Sequence, residues 1–288
     1  MNKYIIITDT ACDIATDTLK DWGVAYLNLT YRFDGENRDY TGEETNIKDF
    51  YDKMRDGGVA KTAAINPDTF EKEFEKHLKN GYNILYLGFS SGLSTTYNSS
   101  RIAATELAEK YPEQKIITVD TLCASAGQGL LLYLVVKQKE AGATLEEAAA
   151  YAENLVSNLC HWFTVDDLVY LKRGGRVSPT TAFVGNVLGI KPVLHVDNEG
   201  RLINMTKARG RKISLRTLAD KFGEFANDKE NGTIFISHAD CKEDAEFLAK
   251  TIKENYGGTV ELITDIGPVI GAHSGPGTVA LFFVGKER

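Results

Sequence analysis

The apolar positions in the first half of the chain fall into two alternating patterns. Unbroken runs, "KYIIITD", "NILYLGF" and "KIITVD", have the length and composition of buried strands. Between them, "NIKDFYDKMRDG", "PDTFEKEFEKHLKNG" and "YNSSRIAATELAEKYP" read as helices. Their ends agree: Asn66 and Pro67 suit an N-cap and first helical position, and Gly81 follows a lysine-rich last turn. Strands alternating with helices predict an α/β unit whose parallel sheet is covered on both faces.

After the helical run "TLEEAAAYAENLVSNL" the pattern changes. "KPVLHVDNEGRLINMTKA" predicts two strands joined at Asp197-Asn198-Glu199-Gly200, a hairpin with turn residues in place. "TIFISH", "TVELITDIG" and "GTVALFFVG" supply further strands, with helices expected around 211–227 and 241–256. The expected division is an N-terminal α/β domain over 1–158 and a C-terminal α+β domain over 159–288, with a mixed or antiparallel sheet. No internal repeat or low-complexity tract interrupts this plan.

Composition narrows the function classes. A hydrophobic content of 43% and a charged content of 25% are those of a soluble globular protein. A net charge of -7 argues against broad binding to nucleic acid, and leaves at most transient contact with an anionic membrane. No apolar stretch approaches the ~18 residues of a membrane span. The opening "MNKYIIITDTACD" is too short in apolar residues for a signal peptide, so a cytoplasmic location is expected. Cys12, Cys123, Cys160 and Cys241 are scattered without a C-x-x-C pair and read as reduced core thiols. No metal-ligand spacing is present, Asp9 and Asp13 read as turn and cap residues, and neither metal nor cofactor is expected.

Three stretches carry candidate chemistry. "GFSSGLSTTYNSS", 88–100, places eight hydroxyl side chains between a strand and a helix starting near Thr96 or Tyr97. Free N–H groups and a positive helix end there favour an anion, while Ser94 or Thr95 serves equally as a helix cap. A nucleophilic serine lacks the G-x-S-x-G elbow and any assignable base. "DIGPVIGAHSGPGTVALFF", 265–283, surrounds His273 with four glycines and two prolines and reads as a loop offering N–H groups and an imidazole to an anion, or as a tight turn. "LVYLKRGGRVSP" brackets two glycines with Lys172, Arg173 and Arg176 before a helix expected from Ser178-Pro179, either an anion fork or a solvated basic turn. Thr62, in "KTAAINPDTF", reads as a loop hydroxyl before a capped helix. "KARGRK", with Lys207, Arg209 and Arg211, is a solvated face or a docking surface for another protein.

Taken in order, "ITDTACDI", "KTAAINP", "SSGLSTTYNSS", "VDTLCASAGQG", "YLKRGGRVS" and "IGPVIGAHSGPGTVAL" resemble the bacterial DegV family over the whole chain. Its better understood members look like the fatty-acid-binding subunits of fatty acid kinase. The resemblance implies a two-domain DegV-like fold holding a long-chain acyl ligand between or beside the domains. It places the carboxylate-binding hydroxyls at Thr62 and Ser94, with Thr95 beside them, the histidine at His273 and the arginine at Arg173. Arg176, Lys207, Arg209 and Arg211 are left as candidates for docking a partner. Two departures stand out. Family members commonly carry T-S-Q-P where this chain has Thr62-Ala63-Ala64-Ile65, and L-S-G-T where it has Leu93-Ser94-Thr95-Thr96. The implied function is a carrier that presents a fatty acid to an ATP-dependent kinase and does no bond chemistry itself. The alternatives are a serine- or histidine-dependent hydrolase or transferase for a small anionic metabolite, and a lipid-responsive interaction protein.

Overall fold

A computed structural model of the chain describes residues 3–177 and 189–288. The helix expected from Ser178-Pro179 lies outside the described residues. Four strands, β1 (Tyr4–Asp9), β2 (Val24–Leu27), β5 (Asn83–Gly88) and β6 (Ile116–Asp120), form a parallel sheet in the order β2-β1-β5-β6. Its helices are α1 (Thr16–Asp21), α2 (Ile47–Arg55), α3 (Pro67–Leu78), α4 (Thr96–Lys110), α5 (Ala126–Glu140) and α6 (Leu145–Val156). The predicted helix start at 66–67 is present: Asn66 accepts from the Thr69 N–H at 2.9 Å and Pro67 occupies the first turn. Thr144 and Glu147 form a reciprocal capping box at the start of α6.

The remaining large sheet has six strands in the order β11-β10-β12-β7-β8-β9, drawn from β7 (Leu159–Thr164), β8 (Ile190–Val196), β9 (Leu202–Arg209), β10 (Ile234–His238), β11 (Val260–Asp265) and β12 (Val279–Val284). It is mixed, with β10 and β11 parallel and the other pairs antiparallel. The β8–β9 hairpin turns at the predicted place, where Gly200 (φ +72°) donates to the Asp197 carbonyl at 2.9 Å. The helices of this half are α7 (Val169–Arg173), α8 (Arg211–Phe225), α9 (Lys242–Tyr256) and α10 (Pro268–Ser274). A two-stranded antiparallel ribbon, β3 (Thr30–Phe33) with β4 (Ala60–Ala63), completes the fold.

Sheet membership changes between β6 and β7, yet the two halves share a core. Helix α5 is apolar nearly all round and packs against β5 of one sheet and β7, β10 and β12 of the other. Leu85 and Leu87 from the parallel sheet, Leu130 and Leu131 from α5, and Phe163 and Phe282 from the six-stranded sheet belong to one buried cluster. The "GQG" of α5 serves this packing: a Cβ at Gly127 would overlap the His161 ring, and one at Gly129 would press into Ile14.

Buried polar groups at the carboxyl ends of the parallel strands tie the halves further. Asp9 accepts from the Tyr86 hydroxyl (2.6 Å) and the Phe89 and Ala11 N–H groups (3.0 and 3.1 Å), fixing the chain that leaves β5. Asp13 accepts from the Ser125 hydroxyl at 2.5 Å and from the Gly267 N–H, at the start of α10, at 2.9 Å. Burial pushes the Asp13 carboxyl up to about 7 against the pull of those donors. No disulfide forms: Cys12, Cys123 and Cys160 are free and buried, and Cys241 is free and half-buried. Among the described residues, no helix is long and apolar enough to cross a membrane.

Candidate functional site

The carboxyl ends of β5 and β6 face the inner surface of the six-stranded sheet across a cavity of about 500 Å³. That size falls within the ordinary range for small-molecule sites. Its walls are mostly apolar and include Phe89, Phe163, Val196, Val269, Ala280 and Phe282. The polar lining gathers Thr62, Ser94, Thr95, His273 and Arg176 from four separate stretches of sequence.

Thr62 lies on strand β4, not in a loop. Its neighbours pair in register with β3, Tyr31 opposite Thr62, and the strand is only four residues long. His273 lies on helix α10 rather than in a glycine loop. Pro268 stands in the first turn, and Gly271 is needed because a Cβ there would overlap the Tyr51 hydroxyl. That hydroxyl donates to the Ile266 carbonyl at 2.7 Å, so Tyr51 and Asp13 together anchor the approach to α10. The Thr62 hydroxyl and His273 Nε2 meet at 2.7 Å. A Cβ at Gly174 would overlap His273 Nδ1, so the glycine after α7 lets the imidazole lie flat against the backbone.

The hydroxyl-rich turn is built differently at each residue. Ser90 is fully buried and donates to the Gly200 carbonyl at 2.9 Å, while Gly92 leaves room for the backbone of the same hairpin turn. Ser94 stands one residue before the N-cap Thr95, which makes no side-chain cap; its Oγ accepts from the Thr96 N–H at 3.2 Å in a local turn and lies 3.0 Å from the Thr96 hydroxyl. With Thr96 donating in that pair, the Ser94 proton is left for a guest. Neither imidazole nor carboxylate bonds to Ser94 among the described residues, so it has no base to make it a nucleophile. Thr96 also accepts from the Ile65 N–H at 3.4 Å, joining the segment after Thr62 to the start of α4.

The basic turn reverses the sequence expectation. Arg173, expected at an anion, is exposed and outside the cavity lining, its guanidinium 5.8 Å from the Tyr170 ring centroid. Arg176, expected on a docking face, lines the cavity and donates to the carbonyls of Leu93 (3.2 Å) and Gly174 (2.5 Å). Helix α7 ends at Arg173, and Gly175 (φ +71°) turns the chain, so the residue after the glycines points back inward. Lys207 and Arg209 are exposed on β9. Arg211 is half-buried and ion-paired with Asp244 at 2.8 Å and Asp166 at 3.7 Å, which removes it from a free basic surface.

Electrostatically the polar end is poised for an anion. Arg176 is the one fully charged side chain among the described lining residues, and burial lowers its pKa without discharging it. Burial, and then the Arg176 charge, push His273 down to about 4, so its imidazole is neutral near pH 7. Ser125 and His161 also line the cavity without having been singled out in the sequence, whereas Ser274 falls inside the 265–283 stretch already marked by His273. Ala63 and Ala64, where the family pattern carries polar residues, also line the cavity.

A cavity set between a parallel sheet and a mixed sheet, polar at one part and apolar elsewhere, defines a two-sheet α/β ligand-binding architecture. The chain belongs to the DegV family, whose pattern, described as "Uncharacterised protein, DegV family", matches residues 3–286. A DegV domain-containing protein of Clostridium perfringens is 46% identical over 100% of this chain and 99% of its own length. A protein of Thermotoga maritima named "Fatty acid-binding protein" is 32% identical, with 99% of both chains covered. Among solved structures, one described as "Fatty Acid Binding of a DegV family Protein from Thermus thermophilus" superposes with a TM-score of 0.88 at 28% identity, covering 98% of this chain and 99% of that one.

Proposed function

We propose that this protein is a cytoplasmic carrier that buries a long-chain fatty acid and presents its carboxylate to a separate ATP-dependent kinase. The observation that carries the reading is the convergence of Thr62, Ser94, His273 and Arg176 on a cavity whose other walls are apolar. Relatives named for fatty-acid binding support the ligand class.

The energetics require both parts of the cavity. A palmitate-length tail of about fourteen methylenes gains roughly 11 kcal/mol on full burial, at ~0.8 each. Association takes back ~4–15 kcal/mol in lost freedom, and an unpaired buried carboxylate costs several more. Hydroxyl donors and the Arg176 guanidinium offset the second cost. Neutral His273 donates to one carboxylate oxygen when its proton is on the nitrogen that faces the guest. Thr62 at 2.7 Å exchanges donor and acceptor roles with it as required.

The attacking oxygen in the phosphoryl transfer is the ligand's own carboxylate, and the kinase supplies ATP and metal. Exposed Arg173, Lys207 and Arg209 are the candidate docking residues; Arg211, already paired, is not. Incubation with a bacterial fatty acid kinase subunit, ATP and labelled oleate tests this role. Acyl phosphate formation dependent on this protein is expected. Bound oleate with no acyl phosphate favours a lipid-responsive interaction protein, and hydrolysis of a small ester by the protein alone favours the hydrolase.

A further inference from the structure

Two residues with strained backbones meet across the halves of the molecule. Ser125, just before α5, has φ 55° and ψ -150°, a conformation that glycine enters freely and other residues only at a cost. Asp13, beyond the end of β1, is left-handed at φ 51° and ψ 32°. The Ser125 hydroxyl donates to Asp13 at 2.5 Å and lies 2.9 Å from the Ser237 hydroxyl of β10. The Ser125 N–H donates to the Ala11 carbonyl at 2.8 Å. A backbone held in such a conformation by several bonds marks a place where position matters more than local ease.

The pair reaches the polar end of the cavity through α10. Ser125 lines the cavity wall, and Asp13, bonded to it, is not among the lining residues. The other Asp13 oxygen accepts from the Gly267 N–H at 2.9 Å, and the Asp13 carbonyl accepts from the Thr264 hydroxyl at 3.0 Å. Gly267 permits this approach, since a Cβ there would stand 2.8 Å from the same carboxylate oxygen. From Gly267 the chain enters α10, which supplies Val269 and Ile270 to the wall and then His273. The buried carboxylate has Ser125 and Gly267 as its hydrogen-bond partners among the described residues.

We propose that Asp13 and Ser125 are positioning residues for fatty-acid binding, a strained pair that pins the first turn of α10 to the cavity wall and so holds His273 at the carboxylate. This deepens the fatty-acid reading and rests on it. Loss of the Ser125 hydroxyl leaves the buried carboxylate with one donor, frees it to rotate away from Gly267, and loosens the turn that carries the imidazole. Strain and position pull in opposite directions at Ser125. Glycine there relieves the backbone yet removes the hydroxyl, so affinity and stability should part company.

Oleate titration of the delipidated full chain, paired with melting midpoints and amide hydrogen exchange of α10, tests the assignment. Ser125→Gly is expected to bind oleate about tenfold more weakly while its midpoint holds or rises. Exchange should quicken at the Gly271 amide, which donates to the Gly267 carbonyl at 2.8 Å. Asp13→Asn keeps an acceptor for Gly267 and a donor for Ser125, and asparagine suits a left-handed backbone, so it should keep most of the affinity that Asp13→Ala loses. If Asp13→Ala does not fold, Ser125→Gly decides. Unchanged oleate affinity in Ser125→Gly, weaker affinity with α10 exchange unaltered, or a midpoint that falls together with affinity overturns the assignment and leaves the carrier reading intact. Asp13→Asn binding no better than Asp13→Ala does the same. Failure of the unaltered chain to bind oleate overturns both.

Discussion

Thr62 and His273 are separated by 211 positions in sequence and share a hydrogen bond of 2.7 Å. Each supplies what the other lacks: a hydroxyl that turns to suit either tautomer, and a neutral ring that buries without a counter-charge. Removing a hydrogen bond to a charged guest costs about 1.5–3 kcal/mol, so His273→Ala and Ser94→Ala should each weaken oleate binding about tenfold to a hundredfold in a displacement titration, with the urea midpoint little changed. Unaltered affinity in both variants contradicts the placement of the carboxylate. The pKa of His273 supplies a second test. It stands at about 4 in the free protein, and a carboxylate brought beside it favours the charged ring, so fatty acid should raise it. NMR titration of the imidazole with and without oleate should show an upward shift; a downward or absent one contradicts the contact. The residue types of the site were legible as hydroxyls and a histidine in glycine-rich surroundings. The choice between Arg173 and Arg176 was not, because it depends on where a five-residue helix stops and which way two glycines turn.

At the scale of elements, α10 holds the imidazole in place. It is short and rich in glycine, and its stability comes from what it touches: Tyr51 lies against Gly271, and Asp13 receives the Gly267 N–H. Gly271→Ala removes a flexible residue from a helix, which alone would be mildly favourable. The added methyl overlaps the Tyr51 hydroxyl, however, and overpacking of this kind costs about 1–3 kcal/mol. The variant should therefore show a lower melting midpoint together with weaker oleate binding; a rise in both contradicts the packing argument. The same element explains a misreading. Four glycines and two prolines in "DIGPVIGAHSGPG" read locally as loop, whereas the helical form is fixed by partners more than two hundred residues away. Strand β4 escaped detection likewise, since four residues ending in Ala63 carry almost no alternation and need β3 to pair with. Long buried strands and capped helices suffered no such ambiguity: β1, β5, β6, α3 and the β8–β9 hairpin were legible because pattern and partner agree.

Over the whole molecule, α5 joins two sheets into a shared core, and the cavity occupies the remaining space between them. Stability should depend on pH through the groups buried there. His195 and His273 are pushed down to about 4, and His161 lies well below its ordinary value. Folding thus keeps three imidazoles neutral that the unfolded chain protonates near 6.5; their stabilisation is complete above that pH and is lost as pH falls toward 4. Asp13, raised to about 7, acts oppositely, its contribution being present below the ordinary carboxylate range and lost as pH rises through 7. Buried Asp9 is raised like Asp13 and buried His238 is lowered like the other three imidazoles; each group is worth about 1.4 kcal/mol per pH unit inside its window, so four histidines outweigh two aspartates. Urea midpoints should fall between pH 6.5 and pH 5, and His195→Gln should reduce the fall; a midpoint that rises on acidification contradicts the balance. The central claim concerns what fills the cavity, and native mass spectrometry of gently purified protein reads it directly. One long-chain fatty acid per chain, lost or diminished in His273→Ala, is the expected result. A bare chain that takes up no oleate when it is supplied would contradict the account.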